Sequence, residues 1–135
     1  MTVELELRMK VPARLESASL VASIIRQRYQ EFSNPSCCFC CELLLREAIT
    51  NAALHGYSGN EGGEILCVVR RKRRRLLIWV QDEGPGFDWR SVSQHQSDPS
   101  IPGGRGMEIF RRYATRVRFN TKGNGVWLLK KFEGK

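Results

Sequence analysis

Hydrophobic and polar residues follow each other along the chain in patterns that predict one strand, two helices and then several strands. Val3–Met9 alternates apolar and charged side chains, as half-buried strands do, and Pro12 ends this pattern. From Leu15 to about Phe32 the apolar residues recur at helical spacing, and the break Ser33–Ser36 follows. The apolar stripe of this first helix is predicted to contain Leu15, Leu20, Ile24, Ile25 and Tyr29.

A second helix is predicted from about Cys38 to Gly56, with Gly56 as its C-terminal stop. Two β-rich segments, Glu64–Arg71 and Leu76–Gln81, then predict an antiparallel hairpin. The apolar stripe of the second helix contains Leu44, Leu45, Ala48, Ile49, Ala52 and Ala53.

The remainder of the chain is glycine-rich and irregular as far as Gly104, and regular patterns return after it. This order of elements predicts an α+β two-layer sandwich, with helices on one face of a mostly antiparallel mixed sheet. The elements expected here are a short helical piece at Asp88–Gln94, a helix at Met107–Tyr113, and a hairpin of Thr115–Asn120 with Val126–Phe132 across Lys122–Gly125.

Length and composition predict one domain, residues 1–135, in a reducing cytoplasm. A chain of 135 residues fits one ordinary core, and no apolar run is long enough for a membrane span or a signal peptide. The odd number of cysteines and their clustering argue against a disulfide framework, and a zinc site would lack its second ligand pair. Of the five cysteines, which include Cys67, buried and unreactive thiols at the start of a helix are therefore expected for the cluster Cys37, Cys38, Cys40 and Cys41, with metal or redox chemistry as the less favoured alternative.

The net charge of +8 raises the question of nucleic acid, because basic faces bind phosphate backbones. The densest basic run, Arg70–Arg75, lies between two predicted strands, where solvated cations at a hairpin end explain it. Neither a basic recognition helix nor an aromatic-interleaved strand accompanies the run, so direct nucleic-acid binding is disfavoured. The same charge can steer an acidic protein partner or ATP.

Three segments carry polar residues in contexts that suit a nucleotide site. Glu47, Asn51 and His55 are four residues apart and should share one face of the second helix. A carboxylate there can act as a general base and an amide oxygen can bind Mg²⁺, although an exposed polar face is the simpler alternative.

The second segment, Asp82–Phe87, follows the apolar strand L-L-I-W-V directly. A carboxylate at a strand end can accept a hydrogen bond from the adenine amino group, and glycines let the backbone approach a flat ligand. An ordinary β-turn fits the same composition.

The third segment, Gly103–Ile109, runs from glycine-rich backbone into a helix, which is how phosphates are commonly held. A flexible connection is the alternative, and the Walker A and Rossmann glycine patterns are both missing.

Taken together, L-R-E-A-I-T-N-A-A-L-H-G-Y, D-E-G-P-G-F-D and G-G-R-G-M-E-I-F resemble the N, G1 and G2 boxes of the GHKL superfamily, whose domains have the Bergerat-type ATPase fold. Within it, the first run is similar to the bacterial anti-sigma-factor serine/threonine kinases. The resemblance covers about Leu43 to Phe110. It implies binding of ATP and Mg²⁺, with Glu47 as general base, Asn51 as metal ligand and Asp82 as reader of adenine. The other nucleotide-binding positions it implies are His55, Gly56, Gly84, Gly86, Phe87, Gly104, Arg105, Gly106 and Met107.

The function implied by the resemblance is transfer of phosphate from ATP to a serine or threonine of a STAS-type anti-anti-sigma protein, by a cytoplasmic homodimer that alternatively holds a sigma factor. An ATP-gated partner-binding module without catalysis would use the same residues. A histidine-kinase fragment is less favoured, because neither His55 nor His95 lies in a helix that could precede the ATP domain.

Overall fold

The structure is a computed structural model, and it describes residues 5–29, 35–56, 63–84 and 106–132. The described strands are β1 (Leu5–Pro12), β2 (Glu64–Lys72), β3 (Arg75–Asp82), β4 (Arg116–Phe119) and β5 (Gly125–Lys131). The described helices are α1 (Glu16–Tyr29), α2 (Pro35–Asn51) and α3 (Gly106–Tyr113), and a π-helical turn (Ala52–Gly56) continues α2.

The strands form one sheet in the order β1-β2-β3-β5-β4, and every neighbouring pair is antiparallel. The α+β fold with helices packed against a mostly antiparallel sheet is thus confirmed, and the described strands include no parallel pair. Side chains from alternate positions of the strands pack with the helices into one core. Representative core residues are Leu7, Ile65, Ile78 and Leu128 from the strands, with Leu44 from α2.

Strand β1 runs further than the alternating pattern predicted. Pro12 is its last residue and pairs with Glu64 of β2, so the strand includes this proline and does not stop before it. A residue without a backbone N–H is tolerated here because β1 is an edge strand. Val3 and Glu4 lie outside the described residues.

Helix α1 buries a different face from the one predicted. Leu15 and Leu20 are 47% and 51% exposed, so their assignment to the apolar stripe was wrong, whereas Ile25 is fully buried. The buried face consists mainly of small residues, which let the helix approach its neighbours closely. Ser17 belongs to this face and donates a hydrogen bond from Oγ to the Pro12 carbonyl over 2.6 Å. The buried residues of α1 are Ser17, Ala18, Val21, Ala22 and Ile25.

Helix α2 begins at Pro35, inside the segment predicted as a break. A proline suits the first turn of a helix because its fixed φ is helical and its missing N–H would have had no partner there. The predicted apolar stripe is confirmed, since Leu44, Leu45, Ala48, Ile49 and Ala52 are buried and Ala53 is partly buried.

The β2–β3 hairpin turns at Arg73 and Arg74, so most of the run Arg70–Arg75 belongs to the strands and not to the turn. Arg73 has φ 50°, in the left-handed region that disfavours side chains. The C-terminal hairpin also lies close to its predicted position, while the helical piece expected at Asp88–Gln94 lies outside the described residues.

Arg73→Gly is expected to stabilise the fold, because glycine adopts positive φ without steric cost. We expect a gain of about 1 kcal/mol in the free energy of unfolding, measured by urea denaturation. The matched control is Arg74→Gly, whose φ is not positive and which should give no gain. Equal effects of the two substitutions would contradict this explanation.

The cysteines that the structure describes behave as core residues. Cys41 and Cys67 are fully buried and Cys40 is half-buried, and no disulfide joins them. Burial raises the pKa of the Cys67 thiol to about 12, which suppresses the reactive thiolate. Within the described residues no cluster of three or more His, Cys, Asp or Glu side chains could hold a metal ion.

Candidate functional site

Helix α2 presents Glu47 and Asn51 one turn apart on the same face, as the spacing predicted. Burial raises the pKa of the Glu47 carboxyl, and the neighbouring Arg46 guanidinium partly opposes that shift. The side-chain oxygen of Asn51 is buried and has no hydrogen-bond partner among the described residues. A buried acceptor without a partner costs about 1–3 kcal/mol, so this oxygen is suited to a donor or cation outside the described residues.

The helix widens into a π-turn directly after Asn51. Turns of this kind occur frequently at functional sites, and this one packs against β3. The backbone of residues 52–56 is therefore not α-helical, and the prediction that the His55 side chain shares the face of Glu47 and Asn51 stays a prediction. His55 and Gly56 lie in the π-turn itself.

Asp82 is the last residue of β3, and it is buried with 5% exposure. Its Oδ1 accepts the Gly84 backbone N–H over 2.7 Å, which holds the following segment close to the strand end. Burial raises the pKa of the Asp82 carboxyl, and this effect outweighs the Gly84 N–H and the Lys122 charge, which favour the ionised form. The chain thus keeps a carboxyl in a site that disfavours its charge.

The turn between β4 and β5 forms a side-chain network that the sequence patterns did not reveal. Asn120 Oδ1 accepts the backbone N–H groups of Gly123, Asn124 and Gly125 over 2.8–3.2 Å. Asn120 Nδ2 donates to Asn124 Oδ1 over 2.7 Å. The spacing N-T-K-G-N-G suggested only a turn, because asparagine and glycine are common in any turn.

Asn124 connects this turn to the end of β3. Its side-chain amide donates to the Gly84 carbonyl over 3.2 Å, and its own carbonyl accepts the Asp82 N–H over 2.9 Å. Asn124 is itself buried, with 9% exposure. Gly84, two residues after the end of β3, is therefore held in place by a turn about 40 residues later in the chain.

Asn124→Ala is expected to destabilise the fold by about 1–3 kcal/mol, because the Gly84 carbonyl and the Asn120 amide would lose buried partners. Urea denaturation would measure the loss. Thr121→Ala, an exposed change in the same turn, is the control and should have little effect. A similar stability for both variants would show that the network contributes nothing.

The elements described above meet around one cavity between α2 and β3. It brings Asn51 and Asp82 to the same space, with Phe110 of α3 on another side. The cavity has room for about one water molecule, with a volume of about 20 Å³. The lining residues are Ala48, Asn51, Ala52, Val80, Asp82, Phe110, Phe119, Gly123, Asn124, Gly125 and Val126.

The remaining predicted site residues are only partly described. Helix α3 begins at Gly106 and includes Met107, which agrees with the predicted passage from glycine-rich backbone into a helix. Phe110 lies one turn further on and lines the cavity, so the first turn of α3 is close to it. Gly86, Phe87, Gly104 and Arg105 lie outside the described residues.

The sequence matches the model of a known protein family over most of its length. The model for the histidine kinase-like ATPase domain covers residues 11–130, from the end of β1 to β5. The chain belongs to this family. Membership in this family agrees with the α+β fold found here, an antiparallel sheet with helices packed against it.

Named relatives of this ATPase domain align over most of its length. The serine-protein kinase RsbW of Bacillus subtilis (strain 168) is 28% identical over 144 residues, spanning 95% of this chain and 86% of that protein. The serine-protein kinase RsbW of Oceanobacillus iheyensis is 26% identical over 141 residues, spanning 93% and 85%. The anti-sigma F factor of Clostridium acetobutylicum is 29% identical over 98 residues, spanning 67% and 68%.

No helix in the described part of this ATPase domain is long and apolar enough to cross a membrane.

Proposed function

We propose that this chain is an ATP-dependent serine/threonine protein kinase that acts as an anti-sigma factor. The observation that carries the proposal is the cavity shared by Asn51 and Asp82, in which a buried amide oxygen lacks a partner and a carboxyl is held at a strand end. Family membership and relatives named as serine-protein kinases and anti-sigma factors support the same function.

Asp82 would recognise adenine. A carboxylate accepts hydrogen bonds only, so it suits the exocyclic amino group of adenine and disfavours the carbonyl that guanine has in its place. The contacts from Gly84 and Asn124 fix the backbone on both sides of this carboxylate. Gly84, Gly86 and Phe87 would lie along the base.

Asn51 would hold Mg²⁺. The unpartnered oxygen is a hard, neutral ligand of the kind that Mg²⁺ accepts, and the described residues provide no multi-carboxylate cage. This donor set fits a magnesium ion that is held mainly by substrate phosphates and water. When bound, the ion would neutralise charge on the phosphates.

Glu47 would act as the general base toward a hydroxyl of the protein substrate. Its raised pKa makes the carboxylate a stronger base than an exposed glutamate, and α2 holds it one turn before Asn51. His55, Gly56, Gly104, Arg105, Gly106 and Met107 would surround the phosphates, with the first turn of α3 supplying backbone N–H groups.

The proposed protein substrate is a STAS-type anti-anti-sigma protein, phosphorylated on serine or threonine, and the alternative partner is a sigma factor. We further propose that residues 1–135 form a single domain, that the active form is a homodimer, and that it acts in the cytoplasm. The names of the relatives support kinase activity and an anti-sigma role, whereas the STAS-type substrate, the homodimer and the cytoplasmic location are proposed from the motif resemblance, and the single domain from the chain length.

The experiment that tests the proposal combines the purified chain, radiolabelled ATP with Mg²⁺, and each purified STAS protein encoded in the same genome. A kinase leaves label on one of them, and phosphosite mapping should find serine or threonine. ATP-dependent binding of a STAS protein without labelling would instead support a non-catalytic, ATP-gated binding module. Absence of both labelling and binding would end the proposal.

A further inference from the structure

An open cleft lies at the turn of the β2–β3 hairpin. Its volume of about 560 Å³ is in the range of small-molecule sites in proteins. Five of its six lining residues carry a positive charge, so we call it the arginine cleft. The lining residues are Arg70, Lys72, Arg73, Arg74, Arg75 and Leu77.

The arginine cleft is separate from the cavity of Asn51 and Asp82. Arg75 begins β3 and Asp82 ends it, so about 23 Å of strand lies between them at about 3.3 Å per residue. No described residue lines both spaces. The concentration of positive charge at the hairpin turn is therefore not explained by contact with a nucleotide at Asp82.

The strand register places like charges directly opposite each other beside the cleft. Lys72 of β2 pairs with Arg75 of β3, and Arg75 pairs with Lys131 of β5. Paired residues point to the same face of a sheet, where like charges directly opposite each other are destabilising. The described strand residues at this end of the sheet include one carboxylate, Glu6, which accepts a hydrogen bond from Arg70 Nε over 2.6 Å. An anion bound among these cations would relieve their repulsion.

The turn also keeps an arginine where the backbone favours glycine. Arg73 has φ 50°, and strained residues of this kind occur at sites where the side chain has a function. The turn itself is held by two hydrogen bonds. Arg71 Nε donates to the Arg73 carbonyl over 3.2 Å, and the Phe132 N–H donates to the Arg74 carbonyl over 2.7 Å. The cations are therefore carried by a fixed backbone.

The lining of the cleft indicates the chemistry of its ligand. Four of the five cations are arginines, whose planar guanidinium groups donate paired N–H groups to phosphate oxygens. Among the described residues that line the cleft, none has an aromatic ring, an amide or a carboxylate that could recognise a base. A ligand would therefore be recognised through its phosphates alone.

We propose that the arginine cleft binds a compact polyphosphate, an anion of three or more linked phosphates. Such an anion brings several negative charges into one small space, as the converging cations require. A nucleic-acid duplex carries its phosphates along an extended backbone and does not fit into a cleft of this size. A free polyphosphate and the phosphate chain of a nucleotide share the required chemistry, and a lining that recognises no base favours the free polyphosphate.

This inference goes beyond the proposed kinase function and does not depend on it. A chain that bound ATP without transferring phosphate would keep the arginine cleft, because the cleft lies at the other end of β3.

The first experiment titrates the purified chain with tripolyphosphate in a calorimeter, with EDTA present to remove Mg²⁺. We expect one bound tripolyphosphate per chain, with an affinity that falls as salt is added. Arg74→Gln with Arg75→Gln should weaken binding about tenfold or more. Arg14→Gln with Arg28→Gln removes the same charge at exposed positions outside the hairpin and should have much less effect. Absence of binding, or equal losses in the two double variants, would overturn the proposal.

The second experiment compares ligands at equal phosphate concentration under the same conditions. Tripolyphosphate should bind at least as tightly as GTP, because the cleft contacts phosphates and not the base. A clear preference for GTP would show base recognition, and tighter binding of a short DNA duplex would show a nucleic-acid surface. Either result would overturn the proposal.

The third experiment separates binding from stability. Arg73→Gly should bind tripolyphosphate about threefold to tenfold more weakly although its backbone strain is relieved. Arg74→Gly should show a similar loss of affinity without a gain in stability. Unchanged affinity in both glycine variants would overturn the proposal. Affinity for ATP with Mg²⁺ should stay unchanged in both, and a parallel loss would instead place the tripolyphosphate in the cavity of Asn51 and Asp82.

Discussion

Replacing Asp82 with asparagine is expected to weaken ATP binding by about ten- to a hundredfold while leaving the folded chain at least as stable as the wild type. The amide removes the charged acceptor that we propose for the adenine amino group and places a competing donor in its position. It keeps an oxygen that can accept the Gly84 N–H, and it removes a charge that the buried position disfavours. Calorimetry with ATP and urea denaturation measure the two quantities.

The stability difference between the two proteins should depend on pH with a defined sign. Because the pKa of Asp82 is raised by folding, the folded state favours the protonated carboxyl, and its contribution to stability is lost as pH rises through the folded-state pKa. The advantage of Asp82→Asn should therefore be present at neutral pH and disappear in acid. If the variant instead lost stability at neutral pH and bound ATP normally, Asp82 would have a structural role only.

Glu47→Gln is expected to reduce phosphotransfer by about a hundredfold to ten-thousandfold while ATP affinity changes little. The substitution keeps the size of the side chain but removes the proposed base, and the half-buried position is one helical turn from Asn51 and does not line the cavity. Initial rates of labelling of the protein substrate and calorimetric ATP affinity distinguish catalysis from binding. Glu16→Gln, an exposed change in the first turn of α1, is the control.

The pH profile gives a second test of Glu47. Burial raises its pKa, so the rate should fall on acidification at a higher pH than an exposed glutamate would cause. The residual rate of Glu47→Gln should lack this acidic limb. Wild-type phosphotransfer by the variant, or an unchanged limb, would remove Glu47 from the proposed mechanism.

The fold could be predicted where one physical signal dominated the sequence. Helix α2 has large apolar residues such as Leu44 and Ile49 at helical spacing, and both hairpins have alternating apolar residues around polar turns. Helix α1 was predicted with the wrong face because hydrophobicity ranked Leu15 and Leu20 above Ser17 and Ala18. A closely packed helix face favours small residues such as these, and the local sequence pattern does not reveal how closely a helix packs.

The candidate site could be predicted in part for the same reason. Asn51 and Asp82 belong to local motifs, and the structure brings them to one cavity. The contribution of Asn120 and Asn124 depends on a turn meeting the end of β3, a contact between distant parts of the chain that no local pattern encodes. The contact between Trp79 and Trp127 could not be predicted from a local pattern either, because it depends on the register of β3 against β5.

Strand β5 lies between β3 and β4, although β4 precedes it in the chain. During synthesis, α2, β2 and β3 leave the ribosome before the segment that completes the sheet, and until then β3 has an open edge. The cavity walls at Gly123–Val126 arrive with that last segment. A nucleotide that needs these walls could therefore not bind during the earlier steps of folding. It would act only by stabilising the native state relative to partly folded states.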